Sequence, residues 1–114
     1  MKNISAIIKH FKLDDVRKAL TDAGIQGMTI VEVKGFGRQK GHFDMHREVN
    51  NEEVHFLPKI KIEVTVPDKK VEEVVNIIIK SAKTAEIGDG KIFVYRMQDV
   101  VRIRTGEKNE EAIK

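Results

Sequence analysis

The chain has 114 residues, 34% of them charged and 40% apolar, with a formal net charge of +3 and no cysteine. That length makes one domain around one modest core. The composition excludes disulfides and thiolate metal sites, and no apolar run approaches the roughly 18 residues of a membrane-spanning helix. So mild a positive charge does not announce nucleic acid. Met1-Lys2-Asn3 leads straight into a strand-like segment rather than a signal peptide, so a cytoplasmic location is expected.

Residues 3–9 alternate, with Ile4, Ala6 and Ile8 on one face and Ser5 and Ile7 on the other, which predicts a short strand. Leu13, Val16, Ala19, Leu20 and Ala23 then recur at helical spacing, with Asp14, Asp15, Arg17, Lys18 and Asp22 turned outward, and Gly24 is placed to cap the C-terminus. Met28–Phe36 reads as a second strand. From Gly37 to Pro58 neither period is visible, and a connection of roughly 20 residues in so small a domain is usually functional or disordered. Lys59–Val66 alternates cleanly as a strand. Pro67-Asp68 opens a second helix with Asp68 as the expected N-cap, and Val71, Val74, Val75, Ile78 and Ala82 form its buried stripe. Lys91–Tyr95 is a further strand after a glycine turn.

The two halves repeat. When Leu13 is laid on Val71, Val16 and Leu20 fall on Val74 and Ile78, and Ile4, Ala6 and Ile8 fall on Ile62, Val64 and Val66. Two tandem βαβ units predict an α+β, ferredoxin-like double βαβ sandwich with both helices on one sheet face. The other face, carrying Ser5, Ile7, Lys61, Glu63 and Thr65, either meets solvent or lines the centre of an oligomer.

Three stretches could hold an anion. In Lys34–His42, three glycines free the backbone while Lys34, Arg38, Lys40 and His42 supply donors, a composition that suits a phosphate and also a plain solvated hairpin. Ile87-Gly88-Asp89-Gly90-Lys91 is a glycine turn ending in a cation, or an Asp-Gly hairpin turn. In Arg102-Ile103-Arg104, strand alternation would put both guanidinia on one side, as a phosphate clamp or as a charge-protected edge strand.

The segments Lys34–His42 (KGFGRQKGH), Phe56–Glu63 (FLPKIKIE), Ile87–Val94 (IGDGKIFV) and Val101–Glu107 (VRIRTGE), with Gly27-Met28-Thr29 and Ile7-Ile8-Lys9, resemble the PII nitrogen-regulatory signal-transduction proteins over nearly the whole chain. The resemblance implies a single PII-like domain (1–114), a homotrimer that binds ATP or ADP in the clefts between subunits, and a regulator rather than an enzyme. One subunit would supply Gly35, Phe36, Gly37, Arg38, Gln39 and the turn Ile87, Gly88, Asp89, Gly90 and Lys91, with Ile7 among the nucleotide contacts. Its neighbour would supply Gly27, Met28 and Thr29, and Arg102 and Arg104 would reach the phosphates. With Mg-ATP bound, 2-oxoglutarate would sit on Gln39, Lys40, Gly41 and Lys59. Gln39 would ligate Mg²⁺ through its carbonyl oxygen, as a hard cation prefers. Glu63 matches a buried acidic partner near Lys59. Residues 37–58 match the long partner-binding T-loop, 84–91 the B-loop and 102–114 a C-terminal loop and tail that would order over nucleotide. Arg47 matches a loop arginine that enters the pore of an ammonium transporter, which makes the membrane a peripheral partner only.

Three departures qualify the resemblance. The loop from Gly37 to Pro58 has no Tyr, Ser or Thr, so the family's uridylylation or phosphorylation there is expected to be absent. The loop is one residue longer than the usual pattern, and its His42, His46 and His55 lack a recognisable metal spacing. The turn reads Thr84-Ala85-Glu86-Ile87 where the family usually has a glycine and then a cation. A carboxylate about 8 Å from a phosphate at an effective dielectric near 40 opposes it by about 1 kcal/mol, so a weaker ATP preference is expected. Within the family, a regulator of nitrogenase or glutamine synthetase, or an ATP/ADP sensor deaf to 2-oxoglutarate, is the alternative. Outside it, a ferredoxin-like RNA-binding module conflicts with an aromatic content of 5%. A small phosphohydrolase conflicts with the lack of a Walker loop or a nucleophile with an adjacent base.

Overall fold

The computed structural model describes residues 1–36 and 57–114. The elements run β1 (Lys2–Lys9), α1 (Leu13–Asp22), β2 (Thr29–Gly35), β3 (Leu57–Val66), α2 (Val71–Ala82) and β4 (Gly90–Arg96), with single 3-10 turns at His10–Lys12, Asp68–Lys70 and Asn109–Glu111. Among the described residues the strands form one sheet in the order β2-β3-β1-β4, and every pairing is antiparallel. This is the expected ferredoxin-like double βαβ sandwich.

The alternation of β1 and β3 explains the layers. Cross-strand partners share a face, and Ile4 pairs with Val64, Ala6 with Ile62 and Ile8 with Ile60. These side chains are buried against Val16 and Leu20 of α1 and Val74, Ile78 and Ala82 of α2. Full burial of each Val, Leu or Ile side chain among them contributes about 1.5–3 kcal/mol. On the opposite face, Ser5 is buried and Ile7 half-buried, while Val31, Phe93 and Tyr95 stay exposed. Asn3 Nδ2 donates to Thr65 Oγ1 at 3.2 Å across that face.

Gly24 ends α1 as expected. Its φ is +90°, its N–H donates to Thr21 O at 2.9 Å, and the Ile25 N–H reaches back to Leu20 O at 3.0 Å. That pair of bonds is a Schellman motif, and it turns Ile25 back onto the core.

Two local expectations fail for identifiable reasons. Asp68 is not the N-cap of α2. Pro67 leads into a 3-10 turn over Asp68–Lys70 that moves the α-helical start to Val71, and Asp68 makes no capping hydrogen bond. Instead its Oδ1 accepts from Lys2 Nζ at 2.8 Å and from the Met1 ammonium at 2.9 Å. Nor is Arg102-Ile103-Arg104 a strand. Val101 bridges to Lys108 and the chain reverses between them, with Arg102 N–H on Glu107 O at 2.8 Å and Gly106 N–H on Arg102 O at 2.7 Å. Gly106, at φ +76°, permits that reversal.

Gly90 is the position where a side chain is least admissible. Its φ is +105°, and a Cβ there would lie 1.6 Å from the Ile7 carbonyl oxygen. Gly90→Ala is therefore expected to lose at least about 3 kcal/mol of unfolding free energy in denaturant titration, combining backbone strain and overlap. A loss below about 1 kcal/mol would show that the β1–β4 approach yields easily. Asp68 supplies a second test. Hydrogen bonds from Lys2 and the amino terminus hold its carboxyl at about 2, below the ordinary 3.8. Because the folded value is depressed, its contribution is present above pH 3.8 and is lost as pH falls toward 2. Asp68→Asn should be less stable than wild type at neutral pH, and the gap should close on acidification. A gap unchanged at pH 2 would exclude the ion pair as its source.

Candidate functional site

The turn from α2 to β4 is built on a carboxylate. The Asp89 Oδ2 accepts the backbone N–H of Thr84 at 2.9 Å and of Ala85 at 2.8 Å, and Oδ1 accepts the Thr84 hydroxyl. Burial pushes the Asp89 carboxyl up, but these bonds and Lys9 outweigh it and hold it at about 2. The segment joins a helix to a strand and Asp89 faces back into the turn, so the Asp-Gly hairpin reading does not apply. Ala85 takes φ +70°, the left-handed conformation in which a glycine would be unstrained.

Two lysines converge on this turn. Lys9, the last residue of β1, places Nζ 3.0 Å from Thr84 Oγ1, 3.4 Å from Asp89 Oδ1 and 3.9 Å from Glu86 Oε1. Lys59 is 6% exposed, and its Nζ donates to the Gly88 carbonyl. Burial and then the Lys9 charge lower the Lys59 pKa, against a smaller opposing pull from Asp89. Gly35 closes the other side, since a Cβ there would stand 3.0 Å from Lys59 Cγ. An aliphatic stem packed on glycine with its amine at the turn is a preset cation for a small anion.

The structure thus brings Ile7, Gly35, Lys59 and the turn Ile87, Gly88, Asp89, Gly90 and Lys91 to one end of the sheet. Ile7 pairs with Lys91, and Lys9 pairs with Lys59. Ile87 is exposed, as is Phe36 at the end of β2. The second group is elsewhere. Gly27 and Met28 precede β2, Thr29 pairs with Glu63, and Thr29 and Gly35 are six residues apart, or about 20 Å along an extended strand. Gly27 and Thr29 line a cavity of about 470 Å³ with Val100, Ala112, Ile113 and Lys114. Arg102 is anchored below that tail, its Nη1 2.6 Å from Glu107 Oε1, while Arg104 is exposed. Glu63 does not neighbour Lys59. Four strand residues separate them by about 13 Å, and the Lys59 amine bonds the Gly88 carbonyl instead. Gly37, Arg38, Gln39, Lys40, Gly41 and Arg47 lie outside the described residues, as do His42, His46 and His55. Among the described residues no cluster of His, Asp and Glu could hold a metal ion.

Lys9 and Thr84 organise the turn, and sequence reading did not single them out as site residues. They are 75 positions apart, and neither periodicity nor a local motif couples them. The one legible signal was a cation at the very end of a strand, directly after the apolar run Ala6-Ile7-Ile8.

The match to known proteins follows this geometry. The family model described as Nitrogen regulatory protein P-II matches residues 1–107. A Nitrogen regulatory protein P-II of Haemophilus influenzae is 59% identical over 113 residues, covering 99% of this chain and 100% of the relative. The Nitrogen regulatory protein P-II 1 of Escherichia coli is likewise 59% identical over 113 residues, with the same coverage. Among solved structures, that of Arabidopsis thaliana PII bound to citrate superposes with a TM-score of 0.80 at 40% identity, covering 97% of this chain and 90% of that one. With the double βαβ sheet, a full-length match at this identity makes the chain a member of the P-II nitrogen regulatory protein family.

Proposed function

We propose that the protein is a non-enzymatic sensor of ATP, ADP and 2-oxoglutarate that works as a homotrimer and acts on a nitrogen-metabolism target through residues 37–58. One observation carries the reading: the candidate nucleotide residues form two groups separated by the length of a strand within one chain. A cleft using both groups needs a second copy of the chain. The exposed apolar side chains Val31, Phe93 and Tyr95 on the sheet face away from the helices are surface that such copies would cover.

In this reading the turn 84–91, Arg102 and Arg104 of two subunits hold the phosphates, and Gly27, Met28 and Thr29 line the far side of the nucleotide. Gln39 holds Mg²⁺ with the ATP phosphates. Lys59 meets a 2-oxoglutarate carboxylate with Gln39, Lys40 and Gly41. A carboxylate ligand is in keeping with the citrate bound by the Arabidopsis PII. The relatives' description as regulatory proteins supports a signalling rather than a catalytic role. Among the described residues no helix is long and apolar enough to cross a membrane. In this reading Arg47 and its loop would meet a membrane target such as an ammonium transporter. A regulated enzyme of nitrogen metabolism would share every ligand residue.

Calorimetric titration of Mg-ATP and ADP, each with and without 2-oxoglutarate, tests the reading. The expected result is 2-oxoglutarate binding only when Mg-ATP is present, with Lys59→Met losing 2-oxoglutarate at least tenfold while keeping ATP within about threefold, the weight of one charge-assisted contact. Because Lys59 titrates below ordinary lysine, an anion there favours proton uptake. The 2-oxoglutarate affinity should therefore weaken on raising the pH before free lysine would lose its proton. Nucleotide binding without 2-oxoglutarate would leave an energy sensor, and no nucleotide binding would overturn the proposal.

The departure at Glu86 gives a second test. Its carboxylate sits on the candidate phosphate turn and is 3.9 Å from Lys9 Nζ, drawing on a cation of that turn. Glu86→Lys should tighten ATP by up to about tenfold, the equivalent of about 1.4 kcal/mol. Unchanged affinity would mean that Glu86 does not face the phosphates.

A further inference from the structure

The last residues of the chain are held by Arg102 in a way that conflicts with the role given to that arginine above. Its Nη2 donates to three main-chain oxygens in the tail, the carbonyls of Glu111 and Ala112 at 3.3 Å and the carboxyl oxygen of Lys114 at 3.1 Å. Its Nη1 is taken by Glu107, whose Oε1 also accepts the Thr105 hydroxyl at 2.9 Å. Both terminal nitrogens of the guanidinium are therefore occupied from within the chain.

The tail is seated by design of its root. Asn109 adopts φ +57°, its N–H donates to Val100 O at 2.7 Å, and its side-chain carbonyl accepts Val100 N–H at 3.1 Å. From that fixed point the chain doubles back, Ala112 N–H and Ile113 N–H both donating to Asn109 O at 2.8 and 3.2 Å. Half-buried Ile113 then walls the cavity that Gly27 and Thr29 also line. The tail thus occupies the same half-site in which the nucleotide reading places part of the ligand.

We infer that residues 111–114 form a displaceable latch on Arg102, competing with the phosphates of a bound nucleotide for the Nη2 edge of the guanidinium. The inference rests on the nucleotide reading above. The Glu111 and Ala112 carbonyls are neutral acceptors and Lys114 O carries at most the single charge of an α-carboxylate, whereas a polyphosphate brings several. Charge-assisted bonds on both sides are stronger than those to a neutral acceptor, so a polyphosphate can displace the tail while water cannot. The latch makes the empty site self-satisfied, leaving no bare guanidinium, and it sets a threshold for filling it. Apparent affinity is the intrinsic affinity multiplied by the unlatched fraction.

The test uses the full chain and two readouts. Ile113→Ser removes apolar seating without adding charge, and calorimetry should show its ATP Kd falling by about three- to tenfold, as removal of a latch closed most of the time requires. Independently, amide hydrogen exchange on the wild-type protein should show the Ala112 and Ile113 N–H groups exchanging faster once Mg-ATP is added. A weaker or unchanged ATP Kd in Ile113→Ser, or tail amides that become slower with ATP, would overturn the latch, since the tail would then be a lid that the nucleotide recruits. If the wild type binds ATP in those cases, the nucleotide reading stands without the latch. If neither protein binds ATP, both fall together.

Discussion

Everything in this structure is referred to the central strand β1. It is hydrogen-bonded on both edges, to β3 and to β4, and its Ile4, Ala6 and Ile8 side chains are almost wholly buried beneath the two helices. A strand fixed on three sides leaves its neighbours little freedom. The start of β4 must come so close to the Ile7 carbonyl that only a glycine fits at position 90. That close approach sets where the turn before it lies, and Lys9, one residue beyond Ile8, is delivered to the turn by the same strand.

The charged end of the sheet follows from that placement. Lys9 and Lys59 are register partners, so two ammonium groups sit side by side where mutual repulsion and burial oppose them. Asp89 resolves the conflict by staying ionised, fixed by donors from Thr84 and Ala85, and the Gly88 carbonyl completes the Lys59 amine. What results is a turn whose backbone conformation is maintained by charges that an anionic ligand would also engage. In the proposed reading, structural order and anion binding at this end of the molecule would draw on the same few groups.

The alternating apolar pattern made the sheet and the helical stripes readable from the residues, because burial on one face imposes period two on strands and about 3.6 on helices. The displacement of Leu13 onto Val71 made the pairing of the halves readable too. The ends of elements were harder. Asp68 carries every local mark of an N-cap, yet a lysine 66 residues away claims its carboxylate, and no local rule foresees that competitor. Arg102-Ile103-Arg104 alternates like a strand but among the described residues joins none of the four strands, and Ile103 is left 99% exposed. At the candidate site, the glycines and cations stood out as residue types. The coupling of Lys9 to Thr84, and the burial that lowers the Lys59 pKa, exist only once distant segments meet.

The pairing of Gly35 with Leu57 has a consequence for how this family can diversify. The chain leaves the sheet after Gly35 and re-enters it at the directly opposing residue, so the two ends of the intervening segment are held one strand spacing apart, about 4.8 Å. The entropy of closing that span is already met by the sheet. Even doubling its length would add only about 0.6 kcal/mol. Changes of length between these two anchors therefore cost little in closure entropy, whereas a single methyl at Gly90 has no room. The scaffold is thus strictest at position 90 and most permissive in the length of the span between Gly35 and Leu57.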